Sequence, residues 1–112
     1  MTDGALREPT FLILTALAAR PQHGYGILLD VEEISEGRVK LRAGTLYTAL
    51  DRLSADGWVA VDREQVVDGR LRRYYRLTDE GAARLEIEVQ RLRSQTRAAE
   101  RRLRLRPAGG TA

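Results

Sequence analysis

The chain has 112 residues, no cysteine and one histidine, and its 19 basic and 16 acidic side chains leave a formal net charge of +3. That length suits one small domain, or one domain with an extension, and the missing cysteine excludes disulfides, thiol catalysis and thiolate metal sites. A lone His among scattered Asp and Glu, with no glycine-rich phosphate loop and no paired-carboxylate constellation, argues against an enzyme; no cofactor and no metal are expected.

Pro9 suits the first turn of a helix, where its missing N–H costs nothing. From there "FLILTALAA" predicts a strongly apolar first helix that stops near "ARPQHG". It is too short to span a bilayer, and "MTDGALREP" has no basic leader region, so a soluble cytoplasmic protein with no membrane partner is expected. The breadth of its apolar surface implies burial on more than one side, against its own domain and a second subunit. A second helix is read over "HGYGILLDVEEIS", with Ile27, Leu28, Val31 and Ile34 at core spacing. Gly24 and Gly26 weaken its first turn by about 1 kcal/mol each relative to Ala. Two uses for them stand side by side: approach of a phosphate to the helix N-terminus, or space against the first helix.

A short basic connection, "EGRVKLRAG", leads to a third helix over "RAGTLYTALDRL", which ends where Gly57 takes a left-handed stop conformation. Periodicity then changes from helical to alternating. "WVAVDREQV" and "RLRRYYRLT" each suit a strand, and "VDG" between them is a hairpin signal. Three helices followed by a two-stranded ribbon is the layout of a winged helix-turn-helix. Thr78 is read as the cap of a long last helix from about Asp79 to Leu105. Along it Leu85, Val89, Leu92, Thr96, Ala99 and Leu103 step by 4, 3, 4, 3 and 4, a heptad seam suited to a neighbouring helix. The expected fold is mainly α with a small β-hairpin. It comprises a winged helix-turn-helix over 1–78, a C-terminal dimerisation helix over 79–106 and a flexible tail over 107–112. Phe11 and Leu14 of the first helix complete the dimer face.

The third helix carries an unusual second face. Leu46, Leu50 and Leu53 form its core stripe, while Thr45, Thr48 and Arg52 lie opposite, with Tyr47 beside them and Gly44 at the start. A solvated face would favour Glu and Lys; short hydroxyl side chains instead let a helix sit deep in a DNA major groove. Arg52 suits a bidentate contact to guanine, or a phosphate if it stands too far toward the C-terminus. Tyr47 offers its hydroxyl to phosphate while its ring packs on the domain. Lys40 and Arg42 flank the helix start, and Arg70, Arg72 and Arg73, with Arg63 opposite, make the ribbon basic. Residues 1–37 carry a net charge of −4 and the remainder +7, with Arg at every basic position except Lys40. Each arginine alone reads as solvated surface; their convergence on adjacent elements points to double-stranded DNA. The competing reading is a winged-helix protein-interaction module that does not read DNA.

Three stretches then carry a resemblance: "LREPTFLILTALAARPQHGYGI", "LRAGTLYTALDRLSADGWV" and "RRYYRLTDEG". Together, over roughly residues 6 to 85, they resemble the PadR family of bacterial transcriptional regulators, in the motifs His-Gly-Tyr, Gly-Thr-Leu-Tyr and Tyr-Tyr-Arg-Leu-Thr-x-x-Gly. The resemblance implies a winged-helix homodimer joined through its C-terminal helices, acting as a repressor at promoter DNA. It places Tyr25, Gly44, Thr45, Tyr47 and the basic wing residues near DNA. It also implies a small-molecule effector near the dimer interface, where Phe11, Leu14, Leu92 and Thr96 are the candidates to line a pocket. Two positions depart from the family pattern: Ala43 and Thr48 stand where relatives often carry Pro.

Overall fold

Pro9 sits in the first turn of α1 (Glu8–Ala19), which the computed structural model places at the centre of the domain. The structure describes residues 4–108. Leu12, Ile13, Leu14, Ala16 and Leu17 of α1 are all buried, so the helix has little amphipathic contrast and is enclosed by α2, β3 and α4. Each fully buried Leu or Ile contributes about 1.5–3 kcal/mol of transfer free energy, so this helix supplies much of the core.

The remaining elements follow the predicted order with one addition. A two-residue strand, β1 (Gln22–His23), precedes α2 (Gly24–Ile34) and α3 (Ala43–Ala55), then come β2 (Val59–Val67), β3 (Arg70–Leu77) and α4 (Asp79–Leu105). The sheet is therefore three-stranded and antiparallel, in the order β1-β3-β2, rather than a plain hairpin. β1 pairs Gln22 with Tyr75 and His23 with Tyr74. Two strand residues leave no periodicity for the sequence to display, which is why the stretch read only as the break between the first two helices. Gln22 is buried, and its amide donates to the Ala16 carbonyl and the Asp30 carboxylate, both at 2.9 Å. This pinning ties the end of α1 to α2 and to the sheet.

The β2–β3 turn has Asp68 at φ 52° and Gly69 at φ 76°, the two left-handed residues of a type I′ hairpin. Gly57 likewise takes φ 81° after α3. Thr78 caps α4 by accepting from the Gly81 amide at 3.0 Å, and its hydroxyl donates to the Gly57 carbonyl at 2.6 Å. One residue joins the stop of α3 to the start of α4.

Three expected placements are corrected. Leu14 is fully buried and Leu85 nearly so, both in the core of their own domain, so neither lies on a surface for a second subunit, nor Leu14 on an effector pocket. α4 packs against α1 and is buried at Gly81, Arg84, Leu85 and Glu88, which consumes the start of the heptad seam. Ile34, predicted as core, is exposed because α2 ends there and the chain turns away through Glu36 at φ 56°. The expected tail over 107–112 falls outside the described residues from 109 onward, as do residues 1–3.

An ionic cluster that hydropathy did not reveal holds the N-terminal arm. Glu88 is only 2% exposed and lies between Arg84, 3.6 Å away, and Arg91, which donates directly to it. The Leu6 amide also donates to Glu88 at 3.3 Å, and Arg84 donates to the Gly4 carbonyl. The bond from Arg91 holds the Glu88 carboxyl below its usual range against the opposing effect of burial. Glu88→Ala should therefore lower the unfolding free energy by about 3 kcal/mol, because it strands the buried Arg84 charge. Because folding depresses this pKa, the stabilisation is complete above the unfolded carboxylate value and fades as pH falls through the folded one. Urea unfolding of both proteins at about pH 7 and about pH 3 should show the gap narrowing in acid; equal stability at neutral pH would remove the clamp.

Candidate nucleic-acid interface

Leu46, Ala49, Leu50 and Leu53 bury one side of α3, which leaves Gly44, Thr45, Tyr47, Thr48 and Arg52 exposed on the other. Arg42 is the N-cap residue and makes no side-chain cap bond, and the first turn carries no acidic residue. The N-terminal amides and the positive end of the helix dipole thus remain uncompensated.

Tyr47 is 45% exposed, so it is a surface residue and not core. Its hydroxyl end rests against Gly24, where an added methyl would come within 2.1 Å of the phenolic oxygen. The missing side chain at position 24 thus makes room, but for Tyr47 of α3 rather than for α1. Nothing lies within 4 Å of a methyl built on Gly44, so that glycine opens onto free space.

The wing leans over the start of α2 and encloses a cleft of about 510 Å³, whose walls include His23, Tyr25, Tyr47, Arg70, Arg72 and Arg73. Tyr25 of α2, Tyr47 of α3 and the three wing arginines are thus brought to one concavity, whereas Gly44, Thr45, Thr48 and Arg52 of α3 are not among its walls. Tyr25, 65% exposed, stands at its rim. The cations differ in what they already touch. Arg73 donates to Glu64 at 2.9 Å, and Lys40 lies 3.9 Å from Glu32. Among the described residues, no carboxylate lies within ion-pair distance of Arg42, Arg70 or Arg72. Arg63 is engaged elsewhere, donating to Asp62 at 2.9 Å and lying over the Tyr74 ring at 4.0 Å.

A second hollow, of about 520 Å³, lies between α3 and the start of α1 and includes Arg7, Thr10, Thr45, Thr48 and Arg52. Arg52 donates to the Thr10 hydroxyl at 3.2 Å, so its guanidinium is turned toward α1 and away from the wing. Of the two contacts read for Arg52, this orientation suits a phosphate at the edge of a groove better than a base at its floor. Sequence reasoning did not select Arg7 or His23 for this face. Arg7 stands beside Pro9 at the start of α1, and His23 is the sole imidazole, at the N-cap of α2.

On α4 the seam emerges from the domain at Val89, which is half-buried, and Leu92, 37% exposed; Thr96, Ala99 and Leu103 are exposed beyond it. Phe11 is half-buried on the outer side of α1 and packs against the core. Among the described residues, no group of three or more His, Asp or Glu is placed to hold a metal ion, and no helix is long and apolar enough to cross a membrane.

Comparison with known proteins gives a consistent result. The model of the transcriptional regulator PadR-like family matches residues 13–87. A transcriptional regulator of Mycobacterium tuberculosis is 48% identical over 54 residues, covering 48% of this chain and 50% of that protein. The chain thus matches about half the length of that relative. Among solved structures, a PadR family transcription regulator from Clostridium difficile superposes with a TM-score of 0.68 at 29% identity, over 84% of this chain and 96% of that one. PadR of Bacillus subtilis, solved in complex with operator DNA, superposes with a TM-score of 0.64 at 23% identity, over 71% of this chain and 46% of that one. At that identity the second likeness is one of fold.

The packing of Tyr47 on Gly24 yields a direct check. Gly24→Ala should displace the Tyr47 ring from the cleft at a stability cost of about 1 kcal/mol or less, because the ring is half-exposed and free to swing. Nuclear Overhauser contacts between Tyr47 and residue 24, read with a thermal melt, test this. An unmoved ring, or a loss of fold, would show that the contact is not what positions Tyr47.

Proposed function

The chain belongs to the transcriptional regulator PadR-like family, and from that premise we propose a sequence-specific, double-stranded DNA-binding regulator that works as a homodimer and represses transcription. The observation that carries the DNA reading is the convergence of Tyr25, Tyr47 and the wing on one cleft, where Arg70 and Arg72 have no carboxylate within ion-pair distance among the described residues. Gly44, Thr45 and Thr48 offer a shallow helix surface that can enter the major groove, with the hydroxyls at base edges and the methyls against thymine. Tyr25, Tyr47, Arg42, Arg70 and Arg72 surround that surface and hold the sugar–phosphate backbone. Arg52, Arg73 and Lys40 contribute at the margin, since each already has a partner in the free protein. The ribbon follows the backbone toward the minor groove. Such a regulator works at promoter DNA in the bacterial cytoplasm.

The dimer reading rests on α4. Its distal half carries Leu92, Thr96, Ala99 and Leu103 on one stripe with no intrachain cover, and an isolated helix of this kind is marginal in water without a partner. With Leu14 and Leu85 in the core, the interface reduces to Phe11, Val89, Leu92, Thr96, Ala99 and Leu103. A small-molecule effector, if it binds between subunits, meets Phe11, Leu92 and Thr96.

Titration against a duplex from the region upstream of its own coding sequence should give an affinity that falls steeply with salt, as release of condensed counterions requires. Salt-independent binding, or none, would remove the DNA reading. Within it, Thr48→Ala should change which sequences are preferred, by about 1–3 kcal/mol at one base position, whereas Arg72→Ala should weaken all duplexes about equally. If both variants behave alike, the division between reading and holding is wrong.

Leu92→Glu places a charge in the middle of the seam and should give monomers in sedimentation equilibrium, with tight operator binding lost. A dimer that persists in this variant would reject the seam as the interface.

A further inference from the structure

We propose that the cleft between the wing and the first turn of α2 is a phosphodiester-binding subsite in which His23 takes up a proton as the DNA strand enters. The inference rests on the DNA-binding reading and adds a proton to it.

The geometry comes first. His23 is the only histidine in the chain and the N-cap residue of α2. Its imidazole is half-buried in the wall of the cleft, edge-on to the Tyr74 ring with the centroids 5.3 Å apart. Gly26 makes the seat for it, since a methyl there would lie 3.4 Å from the imidazole Cε1 and 3.0 Å from the Gln22 side-chain oxygen. The N-terminus of α2 opens on the same cleft, with no side-chain cap bond and no acidic residue in its first turn.

The charges around the imidazole are one-sided. From β3, Arg72 and Tyr74 face it, with Arg70 and Arg73 further along the same wall; from α3 comes Tyr47, and from α2 itself Tyr25. Asp68, at the wing turn, is the one carboxylate lining the cleft, and among the described residues no carboxylate lies within ion-pair distance of His23. Burial, and then the Arg72 guanidinium, hold the imidazole below its ordinary pKa, so in the free protein it is neutral near pH 7. The helix dipole acts in the same direction.

A phosphodiester reverses this balance. It is a fixed anion that Arg70 and Arg72 can hold and to which an imidazolium N–H can donate. An opposite charge within hydrogen-bond reach favours the protonated form, so the pKa in the complex lies above that of the free protein. The complex then binds more protons than its separated parts, and linkage makes affinity rise as pH falls through the window between the two values. Above the bound value His23 contributes only as a neutral contact. Below the free value the gain is constant.

The sole imidazole makes the test unambiguous, and because phosphate contacts do not depend on sequence, a poly(dA-dT) duplex at low salt serves as the probe. The His23 Cε1 proton resonance, followed by NMR across the range where imidazole titrates, should show its midpoint raised by about one unit when the duplex is bound. Affinity of the wild-type protein should correspondingly increase about tenfold between about pH 8 and about pH 5.5, and His23→Gln should flatten most of that dependence. A midpoint unmoved by the duplex, or an equal pH dependence in His23→Gln, overturns the proposal while duplex binding itself stands. No duplex binding at any pH would remove the DNA reading and this subsite with it. The wild-type NMR measurement decides the matter even if the variant folds poorly.

Discussion

Enclosure of α1 is the constraint on which the rest of the molecule depends. A helix buried along Leu12, Ile13, Leu14, Ala16 and Leu17 has neighbours on most of its circumference. Those neighbours are α2, β3 and α4, so one rigid rod sets the positions of α2, the wing and the long helix together. Close packing makes such an arrangement stiff, since displacing any neighbour opens a void against α1 at about 24 cal/mol per Å³. The short ties at its ends then remove the remaining freedom. Gln22 anchors the C-terminal end to α2 and the sheet, and Glu88 with Arg84 anchors the arm before the N-terminal end to α4.

The face proposed to meet DNA is tied to that rod through a few contacts. Arg52 of α3 reaches Thr10 of α1, and Tyr47 of α3 rests on Gly24 of α2. Both contacts run from α3 back to elements that are themselves held by the core. The exposed threonines need no such support, because they are short and sit on the helix surface itself. The face thus combines amphipathic tyrosines at its edge with small hydroxyls at its centre. An arrangement of this kind suits a groove whose walls are sugar and phosphate and whose floor is bases.

Legibility in the sequence followed the length of each signal. A long apolar run announced α1 and periodic runs α3 and α4, and α4 spans the predicted Asp79–Leu105 because Thr78 is a strong cap at one end. Asp68–Gly69 marked its turn by chemistry alone. What stayed hidden lacked a periodic or compositional mark. β1 is two residues long, and the Arg84–Glu88–Arg91 cluster looks like any solvated i, i+3, i+4 surface row until the N-terminal arm covers it. The heptad seam failed at its first position for a related reason. Spacing shows that Leu85 and Leu92 share a stripe, but only the length of α1 decides where that stripe leaves the domain. At the candidate site the exposed face of α3 was legible residue by residue, whereas the orientation of Arg52 toward Thr10 was not, because a flexible four-bond side chain has no sequence signature.

The same distinction between charge and available charge explains why net charge is a weak guide here. The +3 total is modest, and part of the positive surface is already neutralised within the protein. Arg38 is paired with Glu8, Arg63 and Arg76 share Asp62, and Arg73 holds Glu64. Surface pairs like these add little stability, at a median of about 0–1 kcal/mol, so their effect is chiefly on where the remaining charge points. By tying down the cations on the outer side of the wing and along the α2–α3 connection, they leave Arg70 and Arg72 at the cleft and Arg42 at the start of α3 without carboxylate partners among the described residues. A polyanion arriving at this side of the domain therefore meets those three cations with their charge available, while Arg93, Arg97, Arg101, Arg102 and Arg104 give the far half of α4 a separate positive stretch. Orientation on the duplex can thus be set before any base edge is reached.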